Sequence, residues 1–120
     1  MRIGDLAAAA GVAPSLVRYY ETRGILPPPA RRAGARAYEP GVVERLRRAL
    51  VARRLGFSLG EIRAALAGER RWADAAGARV AAVDAELRRL RVQRALLRHA
   101  IRADALPAER YARVLDKAGA

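Results

Sequence analysis

The apolar positions at the start of the chain recur every three or four residues, which predicts a short helix over Ile3–Ala10 that ends at Gly11. A second helix is predicted over Pro14–Arg23, because proline suits the first turn of a helix and Gly24 suits the position after its end. Ala13 takes the N-cap position without a capping side chain, which costs about 1 kcal/mol of helix stability. Two short helices joined by a tight turn predict a helix-turn-helix.

A second pair of helices follows the same pattern. The apolar spacing predicts a third helix over Pro40–Gly56, with the proline at its first helical position. Ser58 and Glu61 have the spacing of a capping box, in which each side chain satisfies a free amide at the start of a fourth helix that stops at Gly68. Phe57, the single phenylalanine, lies in the turn between these helices, and we expect it to fill the core.

The segment between the two helix pairs is predicted to be extended. Three consecutive prolines at residues 27–29 exclude a helix and favour a stiff connector. Gly34 then supplies a turn between two short arms that carry Arg31, Arg32 and Arg36, which predicts a small β-hairpin, or wing. The alternative is a disordered basic loop.

A long helix is predicted from about Arg70 to Arg102, since this segment has no proline and one glycine, Gly77. Its apolar residues recur in alternating steps of four and three, which is the heptad seam of a coiled coil, with Arg94 in one seam position. No other segment matches this helix in length, so we expect it to pair with its copy in a homodimer. The alternative is that it folds back on its own domain. The predicted dimerisation residues are Val80, Val83, Leu87, Leu90, Leu97 and Ile101.

These patterns divide the chain into three parts. Residues 1–68 are predicted to form a winged helix-turn-helix head, residues 69–103 a dimerisation helix, and residues 104–120 a short C-terminal effector or capping segment. Pro107 breaks the long helix, and a last short helix is predicted from Ala108 to Lys117. The predicted fold class is therefore mainly α, which the low aromatic content of 5% also favours.

The charge balance indicates a polyanionic partner. The chain carries 24 Lys plus Arg against 12 Asp plus Glu, giving a net charge of +12. Residues 1–68 hold 12 basic and 5 acidic side chains, so the head is the more basic part. The arginine guanidinium can donate two hydrogen bonds to a phosphate or to guanine, which favours double-stranded DNA as the partner. The alternative is that the arginines reflect a GC-rich genome and form solvated helix faces.

The sequence offers little for catalysis, metal binding or membrane insertion. It has no cysteine, so disulfides and thiolate metal sites are excluded. The only histidine, His99, lies late in the long helix, where a surface or seam role is expected. Nothing pairs a nucleophile with a base, so we expect neither an enzyme nor a cofactor. The absence of a signal core or a membrane-length apolar run leads us to expect a cytoplasmic protein.

Two aromatic residues are candidates for an effector site. Trp72, the only tryptophan, opens the long helix and is interpreted as a packing residue at its joint with the head. The alternative is that it lines a ligand pocket. Tyr111 in the last short helix is the second candidate.

The order of these motifs resembles the MerR family of bacterial transcription regulators. The resemblance is close over residues 1–67 and holds in outline for the long helix. The matching segments are Ile3-Gly4-Asp5-Leu6-Ala7, Gly11-Val12, Leu16-Val17-Arg18-Tyr19-Tyr20-Glu21, Gly24-Ile25-Leu26-Pro27, Arg36-Ala37-Tyr38 and Leu55-Gly56-Phe57-Ser58-Leu59-Gly60-Glu61-Ile62.

The resemblance implies an antiparallel coiled-coil dimer that binds a pseudo-palindromic operator and bends or untwists promoter DNA for RNA polymerase. It also implies that Ser15, Arg18 and Tyr19 face the major groove, while Tyr20 and the wing arginines hold the DNA backbone. We therefore expect a sequence-specific transcriptional regulator, with a small molecule as a candidate effector. The alternative is an effector-independent architectural DNA-binding or interaction protein. The predicted DNA-binding residues are Ser15, Arg18, Tyr19, Tyr20, Arg31, Arg32, Arg36 and Tyr38.

Overall fold

The computed structural model describes residues 1–32 and 35–119, without the side chains of residues 31, 32, 35 and 36. The protein is mainly helical, which confirms the predicted fold class. It divides into two compact units, Met1–Ala76 and Gly77–Ala120, which are described separately below. The elements are α1 (Ile3–Ala10), α2 (Pro14–Thr22), β1 (Ala30–Arg32), β2 (Ala35–Ala37), α3 (Gly41–Arg54), α4 (Leu59–Leu66), α5 (Trp72–Ala103) and α6 (Ala108–Ala118).

Glycine and proline set the ends of the first two helices. α1 ends at Gly11, whose φ of 70° is a left-handed conformation that glycine adopts without strain. α2 begins at Pro14 after Ala13, which is extended and makes no side-chain capping bond, as predicted. The helix ends at Thr22, one residue before the predicted end, with Arg23 as its C-cap.

The predicted capping box at the start of α4 is confirmed. The Glu61 amide donates to Ser58 Oγ at 3.1 Å, and the Ser58 amide donates to Glu61 Oε1 at 2.8 Å. Each bond satisfies an amide that has no partner within the helix. The box therefore fixes where the chain turns from α3 into α4.

The core of the first unit is formed by α1 to α4 together with the connection that follows α2. Phe57 belongs to this core, as predicted, and its ring packs edge-on against Trp72 with the centroids 5.6 Å apart. The first turn of α5 thus packs with the segment expected to form the head, and Ala75 is fully buried there. The largest fully buried side chains are Leu6, Val17, Ile25, Leu26, Leu46 and Ile62.

The segment after the prolines forms a two-stranded antiparallel sheet. In its register Ala30 faces Ala37, Arg31 faces Arg36 and Arg32 faces Ala35. The predicted turn at Gly34 lies outside the described residues. Beyond β2, the Met1 ammonium donates to the Tyr38 carbonyl at 2.9 Å, and the Tyr38 amide donates to the Met1 carbonyl at 2.7 Å. The start of the chain thereby holds the end of the hairpin.

In the second unit, the apolar seam of α5 lies at the surface of the single chain. α5 begins two residues after the predicted start and ends at Ala103. No residue from 77 to 103 is buried, and the six seam residues are between 39% and 79% exposed. α6 follows, with Tyr111 as its buried residue.

Candidate nucleic-acid interface

The two faces of α2 have different environments. Val17 and Tyr20 are buried, since they point toward the core of the first unit. Ser15, Arg18 and Tyr19 are exposed, and Tyr19 is 47% exposed although its ring is large. Residues three and four apart share one side of a helix, so these three side chains form one surface. A hydroxyl, a guanidinium and a phenol are thus displayed together, on a helix whose other side is fixed by packing.

Arg18 is the charged group of this surface. No ion pair involving Arg18 occurs among the described residues, and the hydrogen bond at this position joins the Thr22 hydroxyl to the Arg18 carbonyl at 3.0 Å. Its guanidinium can therefore donate to an external acceptor. A free guanidinium of this kind suits a DNA phosphate or the O6 and N7 atoms of guanine.

Tyr20 and Tyr38 were also predicted to contact DNA, and both lie in the core of the first unit. Each is only 3% exposed, so the packing of the head holds both rings, and their contact with DNA stays a prediction. Burial raises the pKa of the Tyr20 phenol above its ordinary value, while Arg53 lowers it and Tyr19 raises it further. Tyr20 packs under the exposed Tyr19, with ring centroids 6.2 Å apart, and thus supports that residue from below.

The wing arginines were the remaining predicted DNA-contacting residues. The backbones of Arg31 and Arg36 pair across the hairpin, and that of Arg32 lies on the same strand as Arg31. Their side chains lie outside the described part of the structure. The assignment of these three arginines to the DNA backbone stays a prediction.

Arg45, a residue that the sequence reading did not single out, holds the connection between α2 and the wing. Its Nε donates to the Ile25 carbonyl at 2.7 Å and its Nη1 to the Leu66 carbonyl at 3.3 Å. On the other side of this connection, a Cβ at Gly24 would lie 3.4 Å from Cδ of Arg63, and Gly24 has a φ of 75°. The segment leaving the exposed helix is therefore fixed by α3 and α4.

The two candidate effector residues have separate surroundings. Trp72 lies at one side of an apolar cleft of about 580 Å³ that is also lined by Val51, Leu55, Phe57 and Ala76. Tyr111, in the second unit, is hydrogen-bonded through its hydroxyl to Nδ1 of His99, and the two rings pack edge-on. Trp72 thus lines a cleft of the first unit, and Tyr111 packs against His99 in the second unit.

The described part of the chain contains neither a metal-binding cluster nor a membrane-spanning helix. Residues 1–32 and 35–119 contain no group of three or more His, Cys, Asp or Glu side chains that could hold a metal ion. No helix within those ranges has the length and apolar content needed to cross a membrane.

Comparison with protein families gives two overlapping matches. The family model described as "MerR HTH family regulatory protein" matches residues 1–69, and the model described as "MerR, DNA binding" matches residues 43–102. The first match spans the helix pairs and the hairpin, and the second extends along most of α5. Together they include the exposed face of α2 and the seam.

Curated relatives match the first half of the chain. An HTH-type transcriptional regulator ZntR homolog from Haemophilus influenzae is 42% identical over 67 residues, 55% of this chain and 50% of the relative. A mercuric resistance operon regulatory protein from Serratia marcescens is 44% identical over 63 residues, covering 52% of this chain and 44% of the relative. The matched part is thus about half the length of these relatives.

A solved structure matches nearly the whole chain. The transcription regulator PbrR691 from Ralstonia metallidurans CH34, in complex with lead(II), superposes with a TM-score of 0.73 and 30% identity over 92% of both chains. The agreement of family models, curated relatives and fold shows that the chain belongs to the MerR family of helix-turn-helix transcriptional regulators.

Proposed function

We propose that this protein is a homodimeric, sequence-specific regulator of transcription that places the exposed face of α2 in the major groove of its operator. The observation that carries the proposal is the joint exposure of Ser15, Arg18 and Tyr19 on a helix whose opposite face is buried. The basic head would supply the electrostatic attraction to phosphates. Its relatives that are named as regulators support a regulatory role over an enzymatic one.

The dimer is supported by the exposed seam of α5. The seam positions recur every three or four residues from Val80 to Ile101, with Arg94 in one of them, and none of the large apolar side chains at the others is buried within the single chain. An apolar stripe of this length on one helix is the feature that coiled-coil pairing buries. A second copy provides a surface of the same length and period.

The charges on α5 favour antiparallel pairing. Its first half, residues 72–87, has three acidic side chains and one arginine, and its second half, residues 88–103, has six arginines and no acid. Parallel pairing would set the six arginines of one helix beside those of the other, and Arg94 would face its own copy within the seam. Antiparallel pairing sets the acidic half beside the basic half and places each Arg94 among apolar residues.

An antiparallel dimer has a head at each end of its coiled coil, which suits an operator with two related half-sites. We propose that such a dimer bends or untwists the DNA between the half-sites, as the resemblance to the family implies. RNA polymerase at the same promoter would be the partner that binds the deformed DNA.

The test of DNA recognition is a gel-shift titration against the DNA upstream of the protein's own gene. Binding should be tighter to this fragment than to a fragment of the same composition in shuffled order, and it should weaken steeply as salt is raised. Equal affinity for the two fragments would contradict sequence-specific regulation. A circular-permutation assay on the bound fragment then measures the bend.

A second candidate function adds a small-molecule signal. The observation that favours it is the apolar cleft beside Trp72. A thermal-shift screen tests it, because a ligand that binds only the folded protein raises the melting temperature further as its concentration is increased. If no compound raises the melting temperature of the wild type by more than it raises that of a Trp72→Ala variant, the effector-independent alternative is favoured.

A further inference from the structure

The second half of α5 carries positive charge that the acidic residues of the helix do not balance. Residues 88–103 hold six arginines and no acid, and α5 as a whole has seven arginines against three acidic side chains, hence a net charge of +4. A second copy of α5 carries the same surplus, so pairing of the two helices does not remove it. A surface with this charge attracts polyanions.

Four of these arginines lie on one side of the helix and are called the arginine row: Arg88, Arg91, Arg98 and Arg102. Their steps of three, seven and four residues keep them on one face, over about 21 Å along the helix axis. All four side chains are exposed. The row adjoins the seam, and α6 covers a different side of α5, where the Tyr111 hydroxyl is hydrogen-bonded to His99.

The arginines of the row differ from those of α3 in their hydrogen bonds. On α3, Arg45, Arg47 and Arg53 each donate to a backbone carbonyl of the head. Among the described residues, the guanidinium groups of the row have neither an ion pair nor a hydrogen bond. The arginine of this half of α5 that has a carboxylate partner is Arg89, which lies on another side of the helix, 3.6 Å from Glu86. The row is therefore available to an external acceptor.

The close spacing of like charges in the row is unfavourable for the isolated helix. The two arginines at each end of the row are three or four residues apart, and like charges at these spacings repel each other and destabilise a helix. On α3 and α6 the same spacing instead joins an arginine to a glutamate, as in Arg48 with Glu44 and Arg113 with Glu109. A bound polyanion would replace the repulsion within the row by attraction.

The chemistry of the row fits a phosphate backbone. Each guanidinium can donate two hydrogen bonds to one phosphate. Residues 88–103 contain no Phe, Trp or Tyr on which a base could stack, so the row offers charge without base recognition. A length of about 21 Å passes about six phosphates of one DNA strand, which carries one per about 3.4 Å of duplex axis. DNA is favoured over an acidic protein, because the head of the same chain brings DNA close to the row.

We propose that the arginine row is a second DNA-binding surface, which contacts phosphates irrespective of the base sequence. The exposed face of α2 selects the operator, and the row adds affinity for any duplex that it reaches. This inference goes beyond the proposed function and does not depend on the base contacts of α2, since the row lies in the second unit.

The test compares two full-length variants that have the same net charge. The row variant carries Arg88→Gln, Arg91→Gln, Arg98→Gln and Arg102→Gln. The matched control replaces four exposed cations of the second unit outside the row: Arg89→Gln, Arg110→Gln, Arg113→Gln and Lys117→Gln. Binding to a duplex of random sequence is titrated at several salt concentrations, because the slope of log affinity against log salt reports the number of phosphate contacts.

The row variant should bind the duplex at least about tenfold more weakly than the wild type, and its salt slope should be smaller by about three. The control variant should keep the wild-type slope to within about one. Equal slopes for the two variants would overturn the proposal. So would a row variant that binds the duplex as the wild type does but loses binding to poly-glutamate, because the partner of the row would then be an acidic protein.

A lysine variant separates loss of charge from loss of structure. Replacing the same four arginines by lysine keeps the charges, so it should restore most of the wild-type salt slope. A lysine variant with the slope of the glutamine variant would count against phosphate binding by the row.

A cross-linking measurement leaves all the charges in place. The chain has no cysteine, so Ala95→Cys puts a single thiol in the middle of the row, and Ala82→Cys puts one on the opposite side of α5. Both alanines are exposed. Each thiol is coupled to an azidophenacyl group and irradiated in the presence of the random-sequence duplex. The yield of protein–DNA adduct from residue 95 should be several times that from residue 82, and equal yields would overturn the proposal.

Discussion

Leu46 on α3 and Leu97 on α5 both belong to recurring apolar positions of a helix, yet Leu46 is fully buried and Leu97 is 61% exposed. In the first unit, neighbouring helices of the same chain cover the apolar face. Along residues 77–103 most of the apolar face has no such cover within the chain. The head is therefore covered by contacts within its own chain, whereas we propose that a second copy covers the seam.

Truncation of the two leucines should have the largest effects and should affect different properties of the protein. Leu46→Ala should lower the free energy of unfolding by about 2–5 kcal/mol, because it leaves a cavity in a closely packed core. Leu97→Ala should change the unfolding of the head by less than about 0.5 kcal/mol and should instead weaken dimerisation. Denaturant titration measures the first quantity and sedimentation the second. Similar effects of both substitutions on head unfolding would break the distinction.

A second prediction concerns the exposed face of the head. Arg18→Ala should weaken operator binding by about 1–3 kcal/mol and relax the preference at one base pair, if its guanidinium reads a base edge. Arg23→Ala is the matched control, since this exposed arginine is the C-cap of the same helix. Gel-shift titrations against a set of single-base operator variants measure both. A uniform loss across all sequences would reduce Arg18 to a phosphate contact.

A third prediction concerns how the head is held together. Arg45→Met keeps the aliphatic packing and removes the hydrogen bonds to the Ile25 and Leu66 carbonyls, so it should lower the free energy of unfolding by about 1–2 kcal/mol. Arg48→Met is the control on the same helix, because Arg48 is exposed and its ion pair with Glu44 spans 3.5 Å at the surface. Equal stability of both variants in denaturant would contradict the bracing role of Arg45.

The smallest expected effects come from helix capping. Ser58→Ala removes the side-chain acceptor of the box at α4 and should cost about 1 kcal/mol. Ala13→Ser adds the missing acceptor at α2 and should stabilise the head by up to about 1 kcal/mol. Thermal unfolding at fixed protein concentration measures both signs. A loss of stability in Ala13→Ser would show that the α2 N-cap is constrained by its neighbours.

The parts of the fold that depend on local chemistry could be predicted from the sequence. The bounds of α1 match the prediction because Gly11 can adopt the left-handed conformation that ends a helix. The Ser58 and Glu61 box was predicted for the same reason, since both partners lie within one turn. The seam of α5 could be predicted from the sequence because a heptad pattern requires no knowledge of tertiary structure.

The burial of two tyrosines differs in how far the sequence could have predicted it. Tyr20 lies three residues after the buried Val17 and therefore on the same face of α2. That spacing was a usable signal. The burial of Tyr38 and the hydrogen bonds of Arg45 had no such signal, because they depend on which distant segments the fold brings together.

Sedimentation equilibrium of the full chain, across the concentrations at which it shifts operator DNA, tests the proposed homodimer directly. A species of twice the 13.0 kDa chain mass is expected at those concentrations, and Leu90→Glu should dissociate it to monomers. A wild-type chain that remains monomeric while it binds its operator with full affinity would rule out the dimer.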